Sequence, residues 1–431
     1  MKTVYKLIMV LSVVAFLALL ECILNCACNL SAYPVPQKTL ILDNTKIEQQ
    51  KKLTLLVYMA ADNDLESHAI RNLKAMERAD AGSINVLVLL DRAEGYDETN
   101  DNWTDTRLFE IVHDKTNSAE IISKRLDCPP LGLTTTTETE LDLGSFTTLK
   151  TFVEFGKENY KAEKYALIIW GHGTGWRGSL QTEHSVRAVA IDDKSNSYIC
   201  VKELGQALQN QSICVIGFDT CFGSVFENLY ELKDCTQFIA ASPGLTPAAG
   251  WDYNSLLTKL CNTDYEPEKI AAIMAESSPQ KISITNTSEL QGIMNKLEDF
   301  SKALSQTITN EQSRRSVLSL LLNTKAYCYT QYPCDMYLDI FSMTQTFTNS
   351  TDEQLKNSAQ NLAQATQNMQ TGLFFIPKTG EQVLAAAHSP DYLKNDANLL
   401  QCAFIKESLW WVPTRAGDSQ SVLDKLFYWN F

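Results

Sequence analysis

Basic side chains are scarce in this chain. Its 431 residues carry 37 Lys and Arg against 51 Asp and Glu, a formal net charge of −14 at neutral pH. Proteins that hold nucleic acid or anionic membrane surfaces do so by neutralising phosphate with Lys and Arg. This balance argues against both as partners. It keeps a protein soluble and would also draw in cationic substrates. Histidine is scarcer still: His68, His113, His172, His184 and His388 are scattered, and no Cys-x-x-Cys pair is present. No spacing therefore reads as a zinc site, and no resident metal is expected from ligand spacing. The apolar run Leu7 to Leu20 is too short to span a bilayer. Internal repeats and low-complexity segments are absent. What remains, 45% apolar and 20% charged, is ordinary globular composition. The length suits one large domain and a smaller one.

Residues 1–28 read as an export leader. Lys2 and Lys6 precede the apolar run, and Cys22, Cys26 and Cys28 follow it. A cysteine directly after such a run resembles a bacterial lipoprotein cleavage site, with Cys26 the best fit and Cys28 second. Plain secretion after cleavage near Ala27 or Ala32 is the alternative. Either way the protein is expected to be exported, secreted or lipid-anchored at a bacterial cell envelope, with contact to the membrane only through that anchor. Residues 29–50 are a polar, Pro-containing tether. Beyond the leader nine cysteines remain, an odd number that leaves at least one thiol unpaired. Cys221 is the natural candidate, and Cys328 with Cys334 are close enough for a local disulfide.

From residue 51 to 262 apolar strand-like runs alternate with helical patterns. Leu53–Met59, Ile84–Leu90, Tyr165–Trp170, Ala188–Ile191, Ile213–Phe218 and Phe238–Ala241 read as strands. Arg107–Val112 and Ser118–Ile122 read as an edge hairpin. Helices are expected after Ala60, with the Asp62-Asn63-Asp64 cluster as its cap, and over Ser145–Asn159, Val201–Gln209 and Gly223–Leu232. Thr174–Arg187 is polar and reads as a loop. This alternation implies a mainly parallel α/β sheet flanked by helices. Residues 263–431 are mostly helical in pattern, with a late strand at Gly372–Ile376, and are expected to pack on the sheet as a subdomain.

Two of the strand-like runs end in reactive residues. Tyr165–Trp170 leads into Gly171-His172-Gly173, and Ile213–Phe218 into Asp219-Thr220-Cys221. Sites in open α/β sheets lie beyond the carboxyl ends of strands. His172 and Cys221 thus stand where a base and a nucleophile belong, in the order and spacing of caspase-type peptidases. The surrounding segments widen the match: Leu56-Val-Tyr-Met-Ala-Ala-Asp-Asn-Asp-Leu65, Val86-Leu-Val-Leu-Leu-Asp-Arg92, Ala166-Leu-Ile-Ile-Trp-Gly-His-Gly-Thr-Gly-Trp176, Ala190-Ile-Asp-Asp193, Glu203-Leu-Gly-Gln-Ala-Leu208 and Phe218-Asp-Thr-Cys221. With these motifs the chain resembles the clostripain family of cysteine peptidases, closely over residues 52–260 and loosely beyond.

The resemblance implies a caspase-like fold and a cysteine endopeptidase acting on proteins or peptides. Cys221 would be the nucleophile and His172 the general acid, with the amides of Gly173 and Cys221 as oxyanion donors. A helix starting just after Cys221 would lower its pKa. Asp219 matches the residue that selects Arg or Lys at P1. Ser242 matches the pocket segment after the next strand, where Pro243-Gly244 replace the family's acids. Self-cleavage is expected at Arg187, Lys194 or Arg177, between His172 and Cys221. No cofactor is required by this chemistry. Some relatives need calcium, for which Asp192-Asp193 and Asp62-Asn63-Asp64 offer oxygen ligands. Two other readings stay open: a catalytically silent surface-binding member of the fold, and a thiol hydrolase of another acyl substrate.

Overall fold

A computed structural model describes residues 50–175, 189–280, 282–322, 326–328, 336–338 and 340–372. The described residues hold twelve strands: β1 (Lys51–Ala61), β2 (Asn85–Arg92), β3 (Thr106–Glu110), β4 (Lys124–Leu126), β5 (Ala162–Trp170), β6 (Val189–Asp192), β7 (Ser197–Ile199), β8 (Val215–Asp219), β9 (Phe238–Ala241), β10 (Ser283–Asn286), β11 (Ala326–Cys328) and β12 (Met336–Leu338). Between and after them run α1 (Glu66–Glu77), α2 (Phe146–Asn159), α3 (Val201–Leu208), α4 (Phe226–Glu231), α5 (Tyr253–Leu260), α6 (Pro267–Ser277), α7 (Leu290–Thr307), α8 (Glu311–Leu322), α9 (Ile340–Phe347) and α10 (Glu353–Gly372).

Eight strands form one sheet in the order β10-β9-β8-β5-β1-β2-β3-β4. The five from β9 to β2 are parallel, while β10 pairs antiparallel with β9, β3 with β2 and β4 with β3. Parallel strands need crossover helices, which cover both faces and force both to be apolar. The period of two is visible in β1. Leu56, Tyr58 and Ala60 enter one core with Leu149, Phe152 and Val153 of α2, Leu204 of α3 and Phe300 of α7. Leu55, Val57 and Met59 enter the other with Leu73 and Met76 of α1, Leu257 of α5 and Met274 of α6. The result is the expected mainly parallel sheet between helical layers, followed by a helical C-terminal region.

Several local expectations are corrected. Ser118–Ile122 is not the partner of β3, which pairs with Lys124–Leu126 instead. The reason is Glu77 of α1, whose carboxylate takes the amides of Ile122 (2.8 Å) and Ser123 (2.7 Å) away from any ladder. Helix α1 starts after Leu65, with no side-chain cap from the Asp62–Asp64 cluster. The strand after the Thr174–Arg187 segment pairs with β7 in a separate two-stranded sheet, outside the main sheet. Helix α4 begins at Phe226, not directly after Cys221. Helix α5 and strand β10 were not anticipated. Residues 1–49, with Cys26 and Cys28, lie outside the described residues, as do Arg177, Arg187, Cys334 and all but the first residue of the Gly372–Ile376 run. Among the described residues no helix is long and apolar enough to cross a membrane.

Candidate active site

Register brings the two reactive residues together. β5 and β8 are parallel neighbours, with Trp170 opposite Asp219 at their carboxyl ends. His172 and Cys221 each lie two residues past that pair. Gly171 holds the connection at φ +138°, its amide reaching Asp219 O at 3.4 Å. A side chain there would meet Ala60 O at 2.8 Å, so the position requires glycine. Gly173 lies directly on the backbone of Cys221: a Cβ there would stand 2.5 Å from the Cys221 carbonyl oxygen and 2.9 Å from Thr220 Cβ.

Cys221 opens a tight turn whose next residue, the buried Phe222, has φ +54°. Strain of this kind in a bulky residue marks an over-determined site. Two hydrogen bonds impose it, Phe222 N to Gly244 O and Ser224 N to Ser242 O, both 2.9 Å. They lash the turn to the loop after β9. The thiol accepts from Thr246 N at 3.2 Å and faces Thr246 O at 3.8 Å. Burial pushes the Cys221 thiol up and the Asp219 carboxylate adds to this, while the Thr246 amide opposes both. The expected help from a helix start is missing, since α4 is six residues long and begins at Phe226. Among the described residues nothing accepts from the Cys221 amide, while Gly173 forms a bridge with Val189.

His172 is half-buried, and its Nε2 lies 2.6 Å from Asp64 Oδ1. Asp64 belongs to the turn after β1, the strand beside β5 on its other flank. That turn is braced by Asn63, which accepts from Leu65 N at 3.0 Å and donates to Ala60 O at 3.2 Å and Ile191 O at 2.9 Å. In the sequence Asp64 reads as a capping acid or a cation ligand. The signal that finds it is an acid just past the strand adjoining the histidine strand.

Asp219 is 4% exposed. Its Oδ2 accepts from Trp251 N at 3.0 Å and the Tyr253 hydroxyl at 2.9 Å, and its Oδ1 has no hydrogen-bond partner. Burial pushes its carboxyl from 3.8 up to about 7 against those two donors. Ser242 is buried, with Oγ accepting from Gly244 N at 3.2 Å and Gln280 Nε2 at 3.0 Å. Gln280 also donates to Leu245 O at 2.6 Å and so fastens the loop beside Cys221, a role not legible in sequence. Lys194 sits in the β6–β7 turn with its ammonium on Glu140, 2.6 Å away.

The acids singled out as possible cation ligands separate. Asp64 goes to His172, and Asp192 accepts from Leu143 N (2.9 Å) and Ser195 N (2.8 Å). Asp62 instead meets Asp91 and Glu140, with carboxylate oxygens within 4.8 Å of one another. Asp62 Oδ2 and Asp91 Oδ2 are buried without hydrogen-bond partners. Burial and neighbouring acids push Asp62 up to about 7 and Asp91 well above the usual carboxylate range. Hard oxygen donors with orphaned, buried atoms fit a cation of the calcium class.

Comparisons with known proteins bear on the family and the fold. Residues 57–399 match the clostripain family. Clostripain of Hathewaya histolytica is 27% identical over 231 residues, 49% of this chain and 43% of that protein, so the match spans under half of the relative's length. A secreted cysteine protease of Bacteroides thetaiotaomicron, solved with an irreversible peptide inhibitor, aligns over 74% of this chain and 83% of its own, at TM-score 0.51 and 18% identity. An inactive zymogen protease of Parabacteroides distasonis gives TM-score 0.51 and 19% identity over 73% and 82%. At these identities the two structures speak for the fold alone.

Proposed function

The chain belongs to the clostripain family of cysteine peptidases, and on that premise we propose that it is an exported cysteine endopeptidase working through Cys221 and His172. The observation that carries this is the β5–β8 register, which sets the Gly173 backbone against the Cys221 carbonyl. Cys221 Sγ attacks the scissile carbonyl, its proton passing to His172. The oxyanion forms beside the amides of Cys221 and Gly173. His172 then protonates the leaving amine, the C–N bond breaks, and water hydrolyses the acyl-enzyme.

Arg or Lys at P1 is the preferred side chain. The support is Asp219, a buried carboxylate with one unpartnered oxygen, two residues from the nucleophile. Pairing with a cation relieves the cost of burying that charge. Ser242 contributes by shaping the adjoining loop. Self-processing falls in the interval that holds Arg177, Arg187 and Lys194. Arg187 is the first choice, because the Lys194 ammonium is engaged by Glu140. A calcium-class cation would be held by Asp62, Asp91 and Glu140 and would supply countercharge to the turn that precedes Asp64. Residues 1–28 direct export, with Cys26 or Cys28 as the lipid attachment point if the leader is processed as a lipoprotein.

The test is hydrolysis of fluorogenic peptides ending in Arg, Lys or neutral residues, by the wild type and Cys221→Ala. Cleavage after basic residues, abolished by Cys221→Ala, is expected, together with a two-chain wild type and a single-chain mutant. Activity that survives Cys221→Ala would sink the assignment. A pure wild type active only on small esters would replace the peptidase with another thiol hydrolase.

A further inference from the structure

We infer that Asp64 is a positioning residue for His172: it holds the imidazole with its hydrogen on Nε2 and leaves Nδ1 as the nitrogen that moves the proton. The inference rests on the reading of His172 as the acid–base group. Its ground is the 2.6 Å contact between His172 Nε2 and Asp64 Oδ1. A carboxylate only accepts, so Nε2 carries a hydrogen, and in the neutral ring Nδ1 is left bare. Among the described residues the ring makes no other hydrogen bond. The proton ledger is then fixed. Nδ1 takes the proton from Cys221 Sγ as the S–C bond forms, and returns it to the amine nitrogen as the C–N bond breaks. The Nε2 hydrogen stays on Asp64 throughout.

Three features separate this pair from an incidental surface contact, which contributes little. The backbone carrying Asp64 is held by Asn63 through three hydrogen bonds, one of them reaching Ile191 across the fold. The histidine is held from the other side by Gly171, whose conformation and contact with Ala60 O exclude a side chain. Both groups therefore meet from short, braced turns directly beyond neighbouring strands. Finally, the nucleophile needs the help. Burial and Asp219 both oppose thiolate formation at Cys221, and the helix that follows it starts only at Phe226. An imidazolium formed on taking that proton would be stabilised by the Asp64 carboxylate alongside it.

The tautomer can be read directly. His172 in full-length Cys221→Ala protein, labelled with nitrogen-15 histidine, is expected to show the Nε2–H form. Asp64→Ala should release it to a mixture, and Asp64→Asn should favour Nδ1–H, because the amide can donate to Nε2. In the otherwise wild-type chain, Asp64→Ala and Asp64→Asn should lower kcat about 10–100-fold with KM little changed, and Asp64→Glu should recover part of the loss. An Nε2–H tautomer that persists in Asp64→Ala, with kcat within about twofold of wild type, would overturn the proposal. The NMR arm is read in inactive protein, so it stands or falls apart from the peptidase assignment. That assignment is tested by His172→Ala, whose full activity would refute it and not the Asp64–His172 geometry.

Discussion

Gly173→Ala puts the greatest load on the proposed site for the smallest chemical change. The added methyl would lie 2.5 Å from the Cys221 carbonyl oxygen and 2.9 Å from both Thr220 Cβ and Oγ1, where ordinary contact begins at 3.4 Å. Neither a carbonyl oxygen nor a β-carbon is the far end of a flexible side chain, so the strand ends themselves must part by roughly 0.9 Å, and a misplacement near 1 Å costs about 100-fold in rate. Overpacking of this kind costs about 1–3 kcal/mol of stability, well short of unfolding. The expected result is a folded protein with kcat/KM toward an Arg- or Lys-ending peptide down about 100-fold. Thermal melts run beside the kinetics separate loss of fold from loss of geometry. Gly292→Ala is the control: it sits inside α7, nothing lies within 4 Å of the added methyl, and the change should be neutral or stabilise by about 0.5–1 kcal/mol. A Gly173→Ala enzyme within about threefold of wild type would mean that His172 and Cys221 do not depend on this contact, and the geometric argument for the dyad would fail.

Asp219 has its carboxyl raised from 3.8 to about 7 by burial. Between those values the folded protein holds a proton that the unfolded chain has released, so this contribution is greatest at the acid end and is lost as pH rises through about 7. Asp219→Asn should therefore melt higher than wild type at pH above 7, yet lose activity on basic P1 substrates; a mutant less stable there would refute the buried-charge reading. Millimolar calcium against EDTA should raise the melting temperature of the wild type but not of Asp91→Asn, and equal responses would place the cation elsewhere. Glu66→Leu would leave the fully buried Arg92, which stacks 4.8 Å over Trp103, with only the Asp97 carboxylate, 3.8 Å away, as a charge partner. Urea melts should show a loss of up to about 3–5 kcal/mol, and a loss under about 1 kcal/mol would show that Asp97, Trp103 and the backbone carbonyls suffice.

The parallel strands were legible because a strand buried on both faces is apolar almost throughout, as in Tyr165–Trp170 and, but for Thr54, Leu53–Met59. Placing His172 and Cys221 needed only strand ends and order. What stayed hidden depends on who sits beside whom. Asp64 reads as a capping acid until β1 is known to adjoin β5. Asp91 reads as the end of a strand until β1, β2 and the residue 140 loop bring it to Asp62 and Glu140. Gln280 is far from Cys221 in sequence, and its grip on Ser242 and Leu245 follows from the antiparallel edge strand β10, too short to announce itself. The Ser118–Ile122 run has a strand's composition, but Glu77 claims its amides, a tertiary contact that no local pattern encodes.

Reactivity at Cys221 has to be assembled from outside the thiol. Burial disfavours the thiolate, the Asp219 charge disfavours it further, and the Thr246 amide is the contact that favours it. Under the proposed chemistry two partners change this balance. His172, backed by Asp64, takes the proton. A guanidinium or ammonium on Asp219 Oδ1 cancels the negative charge that opposes the thiolate. One carboxylate then serves recognition and activation together. A peptide with a neutral P1 side chain loses the pairing and also leaves the thiol facing an uncompensated charge. Its deficit should fall on kcat as well as KM, whereas a pocket that only binds would show it in KM alone.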